Sequence, residues 1–134
     1  MEQMLAAIKT IIAEAGYEVT NSDDQLLTVT DPDSQVEMRA VLEGDVLFLT
    51  VVCLSVDRHA ISRDIMSRML AADNGISTSF FQIYPNTNGL HTITLNNFCK
   101  LQELGADDAD DILSCINFLL ADIVQARNLI GELA

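Results

Sequence analysis

The sequence predicts an α+β fold, an antiparallel sheet with flanking helices in the order α-β-β-β(-β)-α-β-β-α. Three observations carry this. Apolar residues recur at helical spacing in three places: Leu5, Ile8, Ile12 and Ala15; Ile61, Ile65 and Met69; and Ile112, Ile116, Leu119 and Ile123. The stretches between them alternate apolar with polar, or are β-branched, and are parted by Asn, Asp, Gly and Pro turns. The 134 residues suit one core, since domains typically have roughly 100–150 residues, so a single acidic α+β domain over 1–134 is expected.

The first helix covers residues 2–15, widened by Met4 and Ile11, and Gly16 follows where a helix ends in the left-handed region. Tyr17 to Val19 and Leu26 to Thr30 read as strands around the polar turn Asn21-Ser22-Asp23-Asp24, with Asp31-Pro32-Asp33 as the next stop. Val36, Met38, Ala40 and Leu42 alternate with polar residues, as in a half-buried antiparallel strand. Glu43-Gly44-Asp45 turns it into Val46 to Leu54, which is apolar on both faces. A second helix lies between Val56 and Gly75. A second hairpin pairs Ile76 to Tyr84 with Leu90 to Phe98 through the turn-forming residues 85–89. The acidic run Asp107-Asp108-Ala109-Asp110-Asp111 opens a long helix to about Glu132, where the dipole favours negative charge.

Seven Lys and Arg against 20 Asp and Glu give a net charge of −13. A surface of that sign repels phosphate, so nucleic acid and anionic membrane are poor partners. Glu2 stands where a secretory signal carries positive charge, and the strongly apolar run Val46 to Leu54 is far shorter than the ~20 residues of a spanning helix. Cys53, Cys99 and Cys115 are odd in number and form no CxxC pair. Buried, reduced cysteines in a cytoplasmic protein without membrane insertion are expected.

Chemistry-bearing patterns are sparse. Asp107, Asp108, Asp110 and Asp111 fan around the first turn of a helix, which suits capping better than the converging oxygens a divalent metal needs. His59 and His91 lack metal-ligand spacing. Cys99 follows His91 by eight residues on one strand, about 26 Å when extended, too far for a catalytic dyad. GxGxxG, Walker and GxSxG motifs are absent from the sequence. The expectation is a non-enzymatic protein-binding module without cofactor or metal. The alternative is a small-molecule sensor or enzyme, with Tyr84, His91 and Asn97 reaching a pocket between sheet and helices.

A partner surface is read from surplus apolar residues. Phe118 and Leu129 are eleven apart and line up with Asp111 and Asp122, on the polar side of the last helix. On the doubly apolar strand, either Leu47, Leu49 and Val51 or Val46, Phe48 and Val52 face outward; one sequence does not decide which. Phe118, Leu129, Leu47, Leu49 and Val51 are taken as the candidate partner or dimer surface. Arg127 projects into the apolar sector of the last helix, where it is expected to snorkel or pair with an acid.

The element order, the apolar segment GISTSFFQIYP and the strand-to-acidic-helix passage LHTITLNNFCKLQELGADDADDI resemble the type III secretion chaperone-like architecture. Within it they are similar to the small acidic bacterial proteins of the YbjN type, described as sensory transduction regulators. The resemblance spans roughly Leu5 to Leu133 and rests on order, length and charge. It implies an acidic homodimer whose sheet and flanking grooves hold an extended segment of a client protein, and it transfers no catalytic residue.

Overall fold

The structure is a computed structural model that describes residues 2–133. Its elements in order are α1 (Glu2–Glu14), β1 (Glu18–Asp23), β2 (Leu26–Thr30), β3 (Glu37–Glu43), β4 (Val46–Asp57), α2 (Arg63–Leu70), β5 (Phe80–Pro85), β6 (Leu90–Lys100) and α3 (Asp108–Leu129), with short 3-10 turns at Arg58–Ala60 and Gly131–Leu133. The strands form one six-stranded sheet in the order β1-β2-β3-β4-β6-β5, so β1 and β5 are its edges. Successive pairs β1–β2, β2–β3, β3–β4 and β5–β6 run antiparallel. The α+β class and the order expected from the sequence are those of the structure.

Boundaries moved where side chains decide them. β1 continues through the expected polar turn to Asp23, and a bulge between Asn21 and Asp23 takes up the extra residue. The second helix is shorter than expected: the Ser62 hydroxyl accepts from the Ile65 amide at 3.1 Å and sets its start, and β4 runs on to Asp57. The structure groups its residues into two compact units, Met1–Thr50 with Asn97–Asn117 and Val51–Asn96 with Phe118–Ala134.

In the first unit, Leu5, Ile8 and Ile12 of α1 are buried, as are Leu27 and Val29 of β2, Met38, Ala40 and Leu42 of β3, and Ile112 and Ile116 of α3. Burying a side chain of this size contributes about 1.5–3 kcal/mol. Tyr17 donates to Asn117 Oδ1 at 3.0 Å, which ties the chain leaving α1 to α3. The Asp108 carboxylate is fully buried and accepts from the Gln102 amide at 2.8–2.9 Å and the Gly105 amide at 3.1 Å. It therefore holds the connection from β6 to α3, whose Glu103 and Leu104 adopt positive φ. The second unit is built on Ile65, Met69, Ile93 and Ile130, against which Cys53, Leu54, Ile61, Phe81, Ile83, Leu129 and Leu133 pack.

By length and composition α3 is apolar enough to cross a membrane. A core helix passes the same test, and Ile112, Ile116, Leu119, Ile123 and Ala126 form a buried stripe along α3.

Candidate protein-binding edge

Strand β4 alternates strictly through Val51. Leu47, Leu49 and Val51 are buried, whereas Phe48 and Val52 are exposed. The sequence-derived expectation that Leu47, Leu49 and Val51 face a partner is thus corrected: they belong to the core, and the other alternating set faces outward. The pleat permits only one set per face, and the core takes the one in register with Ala40 and Leu42 of β3. Outward Phe48 lies 6.0 Å, ring centre to ring centre, from exposed Phe98 at a 38° tilt. On α3, Phe118 is 44% exposed. Leu129 is only partly exposed and packs against the second unit's core, so the two residues do not form one outward pair. Arg127 is exposed, and its charge acts on the Cys53 thiol, opposing the burial that pushes that group up to about 11.

The pocket alternative is not assembled. Tyr84 is exposed and donates to Gln82 on its own strand. His91 and Asn97 are six residues apart on β6, about 20 Å along an extended chain. Asn97 accepts from the Phe98 amide at 2.8 Å. Among the described residues, no three His, Cys, Asp or Glu side chains are grouped to hold a metal.

What the second unit offers is an open strand edge beside an apolar groove. The hairpin bond from the Asn86 amide to the Leu90 carbonyl, 2.9 Å, sets the parity of the β5–β6 ladder. In the register Tyr84↔Thr92, Gln82↔Thr94 and Phe80↔Asn96, the even residues direct their backbone groups to β6. The N–H and C=O groups of Phe81 and Ile83 therefore point to the free edge, and Pro85, without an N–H, ends it. Beside this edge lies a groove of about 210 Å³ lined by Met66, Met69 and Leu70 of α2 and by Phe81, Gln82 and Ile83 of β5. Leu70 is 80% exposed and Met66 40%.

Three devices hold the two walls in place. Arg68 donates to Asp64 at 2.8 Å, to the Leu129 carbonyl at 3.2 Å and to Glu132, which fixes α2 against the end of α3. Asn74 donates to the Met69 carbonyl at 2.6 Å and receives the Ile76 amide at 2.9 Å, closing the turn after α2. Asp122, with only 3% of its surface exposed, accepts from the amide and hydroxyl of Ser77 at 2.9 Å and from the Ser79 amide at 3.2 Å. Burial works against its charge, but the bonds from Ser77 and Ser79 outweigh it and hold the carboxyl below its usual value. This clamp delivers Phe80 to the start of β5.

Met66 and Leu70 add a second apolar line beside the buried Ile65 and Met69, more than an eight-residue helix needs to cover one core. That β5 is an edge was not visible, since it follows from β6 lying between β4 and β5. Charge is also unevenly placed. The first unit holds fifteen Asp and Glu against three Lys and Arg, a net −12; the second holds five against four, a net −1. The groove thus lies in the nearly neutral unit.

No family model matches the chain, and no curated protein matches it. Solved structures do. YbjN of E. coli, a protein proposed to regulate transcription, matches with a TM-score of 0.66 at 12% identity, over 92% of this chain and 90% of its own. A chain of the heterodimeric ExoU–SpcU complex from the type III secretion system of Pseudomonas aeruginosa matches with a TM-score of 0.61 at 16% identity, over 91% of this chain and 96% of its own. At such identities the likeness is one of fold: the chain has the YbjN-type, secretion-chaperone-like fold.

Proposed function

We propose that this protein is a non-enzymatic, cytoplasmic protein-binding module, a chaperone-like or regulatory adaptor. It holds an extended segment of a partner protein along β5, and it acts as a homodimer. The observation that carries this reading is the coincidence of outward backbone groups at Phe81 and Ile83 with the apolar groove of Met66 and Leu70. A strand added at that edge bonds through its main chain, and every second side chain enters the groove. The ExoU–SpcU neighbour, itself part of a heterodimeric complex, supports a protein partner. The exposed Phe118 supports a contact between two copies.

The test is affinity capture from the native cytosol with the wild-type protein and with Met66→Asp, Leu70→Asp, followed by hydrogen exchange on the complex obtained. The expected result is one partner retained by the wild type and lost by the variant, with slowed exchange at the Phe81 and Ile83 amides. A partner that binds both forms equally, or that leaves those amides unprotected, would sink the assignment of this edge.

A further inference from the structure

The first unit carries a second apolar surface, on the side of the sheet that turns away from the core. Leu26 of β2 stands opposite Val41 of β3, and Val41 stands opposite Phe48 of β4. Directly opposed side chains lie on one face of the pleat, and the Phe48 ring meets the Phe98 ring of β6 at 6.0 Å. A row of four apolar side chains thus crosses four neighbouring strands. Leu27, Ala40 and Leu47 point the other way and are buried, whereas Phe98 is 52% exposed, Phe48 37%, and Leu26 and Val41 are half-buried. A contiguous apolar strip on an exposed face marks an interaction site. We propose that this row docks an amphipathic α-helix of another protein, apolar where it meets the row and basic along its flanks.

The backbone selects a helix. β2, β3 and β4 each have a neighbour on both sides, so their N–H and C=O groups are bonded within the sheet and this face offers a partner side chains alone. A segment seated on it must satisfy its own main chain, which a helix does and a single extended strand does not. Three strand spacings of about 4.8 Å make the row about 14 Å long, the length of about nine helical residues. The β5 edge in the second unit works the opposite way, through main-chain bonds, so the two surfaces take different segments.

Charge selects the flanks. Glu43 follows Val41 by two residues on the same face and stands opposite Val46. Beyond the other side of the row, Glu18 and Glu37 both stand opposite Thr30. All three carboxylates are exposed, against Arg39; Lys100 is matched by Asp45 at 3.8 Å. With the first unit at −12, a second copy or an anionic bilayer approaching this face is repelled, and lysines or arginines flanking a helix are attracted.

The experiment titrates a fluorescent peptide of about 18 residues, with leucine on one helical face and lysine on the other, into the full-length protein and follows anisotropy. Binding should exceed that of the same composition scrambled by at least about tenfold, weaken with salt, and be absent for the pattern with glutamate in place of lysine. Phe48→Ser, Phe98→Ser should weaken it by at least about tenfold. Met66→Asp, Leu70→Asp should leave it unchanged, which separates this face from the β5 edge. Methyl NMR of the wild type should shift Leu26, Val41 and Val46 on titration, a reading that does not depend on the variants folding. The proposal is overturned if the scrambled peptide binds equally, if those methyls stay in place, or if Phe48→Ser, Phe98→Ser keeps the affinity. It is also overturned if that variant has a smaller mass in light scattering than the wild type, or if the wild type but not that variant binds phosphatidylglycerol vesicles: a second copy or a lipid surface would then be the occupant.

Discussion

Replacing Asp122 tests whether a single carboxylate positions the edge strand β5. In the structure it accepts from the Ser77 amide, the Ser77 hydroxyl and the Ser79 amide. Hydrogen bonds to a charged group contribute about 1.5–3 kcal/mol each but do not add fully, since the donors share one acceptor and lie near the surface. Asp122→Ala should cost about 3–4 kcal/mol. Asp122→Asn, which keeps one acceptor oxygen and turns a donor toward the other amide, should cost about half of that. Urea unfolding at neutral pH measures both. The pH dependence adds a sign. The carboxyl is depressed in the folded protein, so its contribution is complete above its unfolded value of about 3.9 and disappears as pH falls through the lower folded value. The wild type should therefore keep a constant advantage over Asp122→Asn from pH 7 to about 4.5 and lose it below about 4. A loss under about 1 kcal/mol for the alanine variant, or an advantage that grows as pH falls from 7 to 5, would refute the argument: burial, not the serine bonds, would then govern this group.

The other consequences are smaller or more local. Gly75→Ala places a methyl 2.7 Å from Gln125 Nε2 at φ +84° and disturbs the Gln125 bond to the Asn74 carbonyl; urea titration should show a loss of about 2–3 kcal/mol. Met66→Asp, Leu70→Asp should abolish partner capture yet lower stability by less than about 1.5 kcal/mol, because Leu70 is largely and Met66 partly in solvent. Phe118→Asp should halve the mass seen by light scattering and keep the helical circular dichroism; an unchanged mass would remove Phe118 from the contact between copies.

The parts of the fold legible in the sequence are those governed by local pattern. The stripe Leu5, Ile8, Ile12 and the stripe Ile112, Ile116, Leu119, Ile123 are buried as their spacing implies, and Gly16 and Gly44 stand at positive φ where a helix end and a tight turn need them. What pattern alone left undetermined was the side of β4. Both alternating sets are apolar, so only the neighbours decide, and they bury Leu47, Leu49 and Val51. Polar residues behaved similarly. Asp108 looked like one of four interchangeable helix-opening carboxylates, yet it alone is fully buried with two backbone amides to bind; its role depends on where the preceding loop returns.

The candidate edge shows the same limit and a way past it. The segment GISTSFFQIYP carries the apolar signal of a strand, but its value to a partner comes from strand order and from a short helix that presents Met66 and Leu70 beside it. The net charge of −13 suggests attraction of a basic client by the whole chain. Placed on the structure, nearly all of that charge falls outside the unit that holds the groove. On the proposed reading, recognition at β5 rests on main-chain hydrogen bonds and apolar burial, which salt screens little. The acidic unit contributes solubility and long-range steering, which salt weakens. Charge and groove fall in separate units of the chain, and the sequence shows their sum while the fold shows their division.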